Sequence, residues 1–253
     1  MTLVYQSYRT KNVPEWIQIC MKSVQDWVKT AGYEYRFIDD SLFTYAPDWY
    51  REKVNHNIQV VSDLARLALA KMYLGQGYER VVWIDADMLI FNPEMFFLDD
   101  REPFYLCRET WIDEDPADNN RIIHQEKINN SISIYNQGNA FLDFYIDACL
   151  KIVERESGFE CVTVGTTFLT ALNELYPLPL LRNVGIISPG LIYHFTKEDI
   201  GFAEAYLEKH GSPVYAANLC GSMKGQYFRN MKVDDKNLEN VARLLLEEKG
   251  IGN

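Results

Sequence analysis

Apolar positions along the chain follow two spacings, and together they lay out alternating strands and helices. Residues 3–8 alternate as a short strand does. Pro14 opens a helical stretch with Ile17, Cys20, Met21, Val24 and Val28 on one face, and Gly32 ends it. Residues 33–38 read as a second strand, so the chain begins with a strand–helix–strand unit. Residues 47–54 suit a short helix. Residues 61–74, rich in Leu and Ala, suit a longer one that closes at Gly75-Gln76-Gly77.

Val81-Val82-Trp83-Ile84 is an unbroken apolar run, the pattern of a strand buried on both faces. It stops at Asp85-Ala86-Asp87, and apolar character resumes over residues 88–91 until Asn92-Pro93. Further strands are expected at residues 103–107, 131–135, 184–187 and 214–217. Helices are expected at 140–153 and 164–175, and at 235–249, where Leu238, Val241, Ala242 and Leu245 share a face. The polar, acidic stretch 113–121 reads as a surface loop. With no repeat or linker in view, the pattern predicts one α/β domain over residues 1–253, a mostly parallel central sheet with helices on both faces.

Composition narrows the function. Hydrophobic residues make up 47% of 253, enough for a core and against wholesale disorder. No run approaches the roughly 20 apolar residues that span a bilayer. The first residues lack the basic-then-apolar order of a signal peptide and read as a strand. The five cysteines, Cys20, Cys107, Cys149, Cys161 and Cys220, are too dispersed for a zinc-type pair, and the odd count suits reduced thiols in a cytosol. A net charge of −11 argues against nucleic-acid binding through a basic face. It also means that a phosphate-bearing ligand would need a local cation, either a metal or a few placed Lys and Arg.

Asp85 and Asp87 flank one residue at the carboxyl end of the buried strand, where ligands bind in open α/β sheets. Two neighbouring buried carboxylates are costly unless a cation compensates them, and Mg²⁺ or Mn²⁺ would do so while bridging phosphates. Alone, Asp-x-Asp also suits a solvated acidic turn. Upstream, Ser62-Asp63-Leu64-Ala65-Arg66 puts Ser62 and Arg66 on one helix face with Asp63 beside it. A carboxylate there can take hydrogen bonds from sugar hydroxyls, and an Arg can meet a phosphate. A helix cap with a surface pair is the other reading. The histidines, His56, His124, His194 and His210, are scattered and receive no role.

These segments resemble the signature of GT-A glycosyltransferases. Ser62-Asp63-x-x-Arg66 is similar to the Ser-Asp-x-x-Arg segment of the retaining family of clostridial glucosylating toxins and yeast initiating mannosyltransferases. Tyr78 to Asp87 looks more like the family of glycogenin and bacterial lipopolysaccharide galactosyltransferases, whose apolar strand ends in Asp-x-Asp. That second family carries His-x-x-Gly-x-x-Lys-Pro-Trp downstream; here Asn218, Gly221 and Lys224 hold the spacing, with Asn in place of His and the Pro-Trp missing. The gap between the two parts, with Gly75-Gln76-Gly77-Tyr78, is longer than in the toxin-like family, so the chain blends both.

The resemblance implies a metal-dependent, retaining transfer of a sugar from a nucleotide-sugar donor, with a UDP-sugar expected, to a glycan or lipid-linked saccharide. By it, Asp85, Asp87 and Asn218 would meet Mn²⁺ or Mg²⁺. Ser62, Asp63, Arg66, Ala86 and Lys224 would meet the donor, and Tyr5, Gln6 and Ser7 would seat its base. Residues 1–100 would form the donor half and 101–253 the acceptor half. Ser222, the Asn129-Asn130-Ser131 and Asn136-Gln137-Gly138 segments, and Gly165-Thr166-Thr167 with Leu169-Thr170 also resemble family positions. A cytoplasmic enzyme of polysaccharide assembly, with loose membrane contact left open, is the expected setting. Two other readings compete. A haloacid-dehalogenase-type phosphatase also places Asp-x-Asp after an apolar strand, but after its first one. A GT-A protein that binds sugar nucleotides without turnover would fit Asn218 in place of His.

Overall fold

The computed structural model describes residues 1–115, 117–197 and 200–251. In chain order the elements are β1 (Thr2–Ser7), α1 (Glu15–Ala31), β2 (Glu34–Ile38), a 3₁₀ turn (Asp40–Tyr45), α2 (Asp48–Lys53) and α3 (Ile58–Gly75). β3 (Arg80–Ile84), β4 (Met88–Ile90), β5 (Phe104–Asp115) and β6 (Asp118–Asn136) follow. Then come α4 (Phe141–Arg155), α5 (Phe168–Leu175), β7 (Leu180–Leu181), β8 (Val184–Ile186), α6 (Pro189–Thr196) and α7 (Ile200–His210). β9 (Ala216–Asn218), the short β10 (Tyr227–Phe228) and β11 (Met231–Lys232), and α8 (Asp235–Glu248) complete the order.

The six-stranded sheet runs β2-β1-β3-β6-β5-β7. β1 pairs in parallel with β2 and β3, as β5 does with β7; β6 runs antiparallel between β3 and β5. This is the expected mostly parallel sheet. Helices cover both faces, which is why β3 has no polar interruption. Leu3, Tyr5, Val81 and Trp83 pack towards α3 and α4, and Val4, Val82 and Ile84 towards α1. Each fully buried aliphatic side chain contributes on the order of 2 kcal/mol, so this two-sided strand is the most firmly anchored part of the sheet.

Two expectations change, and a second sheet appears. Residues 113–121 are not a loop. β5 runs to Asp115 and β6 begins at Asp118, forming one long hairpin arm; Pro116 lies outside the described residues. Alternating Trp111, Ile112 and Asp113 and the matching Ile122 and Ile123 can form a strand even with an acidic edge. α3 begins at Ile58, with Asn57 as its cap through a 3.4 Å bond from Val60 N. Ser62 and Asp63 therefore sit inside the helix and cap nothing. β4 leaves the main sheet and pairs with β9 in a three-stranded sheet ordered β4-β9-β8. No described helix is long and apolar enough to cross a membrane.

Under the hairpin, His210 is fully buried, and its ring bridges Arg182 O (3.0 Å, Nε2) and Thr110 Oγ1 (3.1 Å, Nδ1). Burial, with the nearby Arg108 charge, pulls its pKa from 6.5 to about 4. The unfolded chain then binds a proton that the fold does not, so stability is intact above pH 6.5 and falls as pH drops towards 4. We expect about 2–3 kcal/mol to be lost from this group between pH 7 and 4.5. Urea unfolding midpoints across that range should fall less steeply in His210→Gln, and parallel profiles would refute the assignment.

Candidate active site

The carboxyl ends of β1 and β3 open onto a cleft of about 1120 Å³. Alternation along β3 aims its exit. Trp83 faces α3, and Asp85, two residues on, faces the same way. Arg66 of α3 meets it: Nη1 donates to Asp85 Oδ1 at 2.9 Å, Nη2 donates to Asp63 Oδ1, and the guanidinium lies over the Trp83 ring at 5.4 Å. Trp83 Nε1 also donates to Asp85 Oδ1 (2.6 Å). Asp63 and Arg66 are 5% and 6% exposed, so this is a buried ion cluster rather than a surface pair.

Asp63 has a second partner. Between Tyr105 and Cys107, β5 advances two residues while β6 advances from Ile134 to Asn129, so β6 bulges there. The bulge turns Asn130 inward; its Nδ2 donates to Asp63 Oδ1 (3.0 Å) and to Tyr145 OH (3.1 Å). Gly165 closes the far side. A Cβ there would lie 2.9 Å from Asp63 Oδ2, so only glycine admits this approach.

Asp87 is held by the second sheet. The register Met88↔Asn218 sets it beside the end of β9. Its carboxylate accepts from Asn218 Nδ2 (2.9 Å, Oδ1) and Gly221 N (2.9 Å, Oδ2). Burial raises the Asp85 carboxyl to about 7; Arg66 opposes this and Asp87 adds to it. Burial also raises Asp87, against its hydrogen bonds from Gly221 and Asn218. Two carboxyls that resist ionising share one cleft, and a hard divalent cation is the partner that would let both ionise.

Asn218 does not present itself as a third ligand. Its Oδ1 already accepts from Cys220 N at 2.7 Å, and its amide nitrogen faces Asp87, so it positions that carboxylate. Among the described residues no group of three or more His, Cys, Asp or Glu is arranged so as to hold a metal ion. A cation on Asp85 and Asp87 would thus complete its shell with ligand oxygens and water, as Mg²⁺ commonly does.

The other expected residues divide. Ser7, Ser62, Ala86, Lys224, Ser222 and the Gly165-Thr166-Thr167 turn line the cleft. Lys224 Nζ donates to Asp235 Oδ2 (2.6 Å), at the cleft's edge. Tyr5 and Gln6 are fully buried behind the wall. Tyr5 OH donates to Arg66 O (2.7 Å) and Gln6 Nε2 to Asp85 O (3.1 Å), so both support the site and cannot touch a ligand. Asn136-Gln137-Gly138 lies at the other end of β3, where Arg80 pairs Asn136. Trp83 was legible only as core, yet its indole edge reaches the cleft. Glu109, Trp111 and Lys127 line the cleft from the hairpin arm that the sequence hid.

No protein-family model matches the sequence, and no curated protein matches it. The fold is similar to that of a glycosyltransferase involved in the glycosylation of the major capsid of PBCV-1. That match has a TM-score of 0.52 at 12% identity and spans 96% of this chain and 100% of that one. Mouse xyloside xylosyltransferase 1 in its apo form matches at TM-score 0.44 and 12% identity, over 88% of this chain and 99% of that one. GlyE of Streptococcus pneumoniae TIGR4 matches at 0.43 and 12%, over 98% and 62%. The likeness to the first is one of α/β fold.

Removing Arg66 leaves the buried Asp63 carboxylate and the partly buried Asp85 without their cation. Arg66→Met should cost about 3 kcal/mol or more in urea unfolding at pH 7. A loss below about 1 kcal/mol, the range of surface pairs, would show that the cluster is solvated.

Proposed function

We propose that the chain is a glycosyltransferase that takes a sugar from a nucleotide-sugar donor, with a UDP-sugar the first to test, and passes it to a glycan or lipid-linked saccharide. One observation carries this reading. At the end of the central strand, Asp85 and Asp87 share a cleft with the buried Asp63–Arg66–Asn130 cluster, within a glycosyltransferase-type fold. A phosphatase is not favoured, because Asp85 follows the third strand of the chain.

Asp85 and Asp87 would hold Mg²⁺ or Mn²⁺, which when bound neutralises charge on the leaving diphosphate. Asp63 offers carboxylate oxygen to donor hydroxyls, and Arg66 fixes both Asp63 and Asp85. Asn218 and Gly221 N orient Asp87. Lys224 can exchange Asp235 for a phosphate oxygen, since both side chains are about half exposed. Retention of configuration, a donor half over 1–100 and an acceptor half over 101–253, and a cytoplasmic site of polysaccharide assembly belong to the same proposal.

A thermal-shift panel of UDP-glucose, UDP-galactose, UDP-N-acetylglucosamine and GDP-mannose, with and without Mn²⁺, tests it. At least one donor should raise Tm only with metal and be hydrolysed slowly, with the anomeric proton signal of a retained product. Asp87→Asn should slow that hydrolysis about 10²-fold or more. No shift across the panel together with p-nitrophenyl phosphate turnover would contradict the proposal. A metal-dependent shift without hydrolysis or transfer would leave a binding protein.

A further inference from the structure

Across the cleft from Asp85 and Asp87 stands a wall that the donor chemistry does not use. It is built by strand register. Glu109 pairs directly with Lys127, Trp111 with Gln125, and Cys107 with Asn129. Side chains two residues apart on a strand point the same way. Glu109 and Trp111 on β5, with Lys127 and Asn129 on β6, therefore share one face, and all four line the cleft.

Glu109 is the unusual member. It is 7% exposed and burial raises its pKa, with Asn129 and then Lys127 opposing. Asn129 Nδ2 donates to its Oε2 at 3.1 Å. Among the described residues Oε1 has no donor. A largely buried carboxyl that lines a cleft and has one oxygen without a protein donor is a site for a ligand donor group. Glu109 lines the same cleft as Asp85 and Asp87.

The surroundings say which donor. Trp111 is half-buried and offers a flat aromatic face. A pyranose ring has one apolar C–H face and a polar hydroxyl edge, and it matches an aromatic plane beside a carboxylate and an amide. An ammonium group would also suit Trp111 and Glu109, but Lys127, directly across the strand pair, repels it. A bulky anion would face Glu109.

We propose that Glu109, Trp111, Lys127 and Asn129 form the acceptor subsite and that it takes a neutral saccharide, whose ring hydroxyls donate to Glu109 while its apolar face lies on Trp111. This subsite rests on the glycosyl-transfer reading for its role, but not for its binding chemistry. In transfer, the acceptor oxygen bonds to the anomeric carbon while the bond to the diphosphate breaks. The diphosphate keeps the electron pair and takes the hydroxyl proton. Glu109 grips ring hydroxyls other than the attacking one.

Saturation-transfer NMR tests the binding without any donor, using maltose, lactose and cellobiose as neutral probes, with glucosamine and glucuronate as charged ones. At least one neutral disaccharide should bind, and the charged sugars should bind at least tenfold more weakly. Glu109→Gln, which keeps the shape, and Trp111→Ala should each weaken the neutral sugar at least tenfold, with Trp111→Phe restoring most of the loss. Failure of every neutral probe, equal binding of glucosamine, or unchanged binding in Glu109→Gln would overturn the proposal. Donor turnover separates the two readings. In Glu109→Gln the ratio of transfer to hydrolysis should fall at least tenfold, and an unchanged ratio also overturns the subsite. If the wild-type protein binds neutral disaccharides but neither binds nor hydrolyses any donor, the donor reading fails and the saccharide site stands.

Discussion

The guanidinium of Arg66, enclosed between the carboxylates of Asp63 and Asp85, is the constraint on which the site depends. A single buried charge of this kind would be ruinous, and a second carboxylate around the one cation is costly to ionise. The molecule offsets that cost with geometry. Trp83 covers the guanidinium face, Asn130 adds a donor to Asp63, and Tyr5 fixes the Arg66 backbone from below. Each partner comes from a different element, so the cluster fastens α3, β1, β3 and the β6 bulge at one point. On the proposed reading, a metal ion would supply the positive charge that Asp85 and Asp87 lack.

The second sheet supplies what the first cannot. A strand that ended at Asp85 would leave Asp87 to solvent. Because β4 turns away to pair with β9, Asp87 is drawn beside Asn218 and Gly221 and gains two hydrogen bonds. The pair is thus divided between two supports, Asp85 on the helix side and Asp87 on the β9 side. Gly221 is needed at this junction, since a Cβ there would lie 2.9 Å from Trp16 and 3.1 Å from Asp87.

Most of the fold was legible, because period-2 and period-3.6 patterns report burial directly. β3 and α1 are the clearest cases, with two-sided and one-sided burial written into their residues. α6 was not, as Pro189-Gly190-Leu191-Ile192 is buried around most of its circumference and shows no polar face to mark a period. The hairpin arm was hidden for the opposite reason: its acidic residues imitate a loop, and only cross-strand pairing reveals it. In the cleft, Ser62, Asp63, Arg66, Asp85 and Asp87 were singled out by the family resemblance of their segments, since their local spacing also suited a helix cap and an acidic turn. Asn218 could be placed but not oriented, since the direction of an amide is decided by Cys220 N, a contact within the loop. Tyr5 and Gln6 were read as ligand contacts because a strand end does not state which residue is the last to be covered.

The metal-ready acidic pair is the central claim, and Mn²⁺ binding measures it most directly. Electron paramagnetic resonance of free Mn²⁺ can be followed with protein and UDP together, against UDP alone. The account predicts that the protein–UDP mixture depletes the free signal beyond UDP alone, and that Asp87→Asn abolishes this excess while remaining folded. Equal depletion by wild type and Asp87→Asn, or none by either, would contradict it.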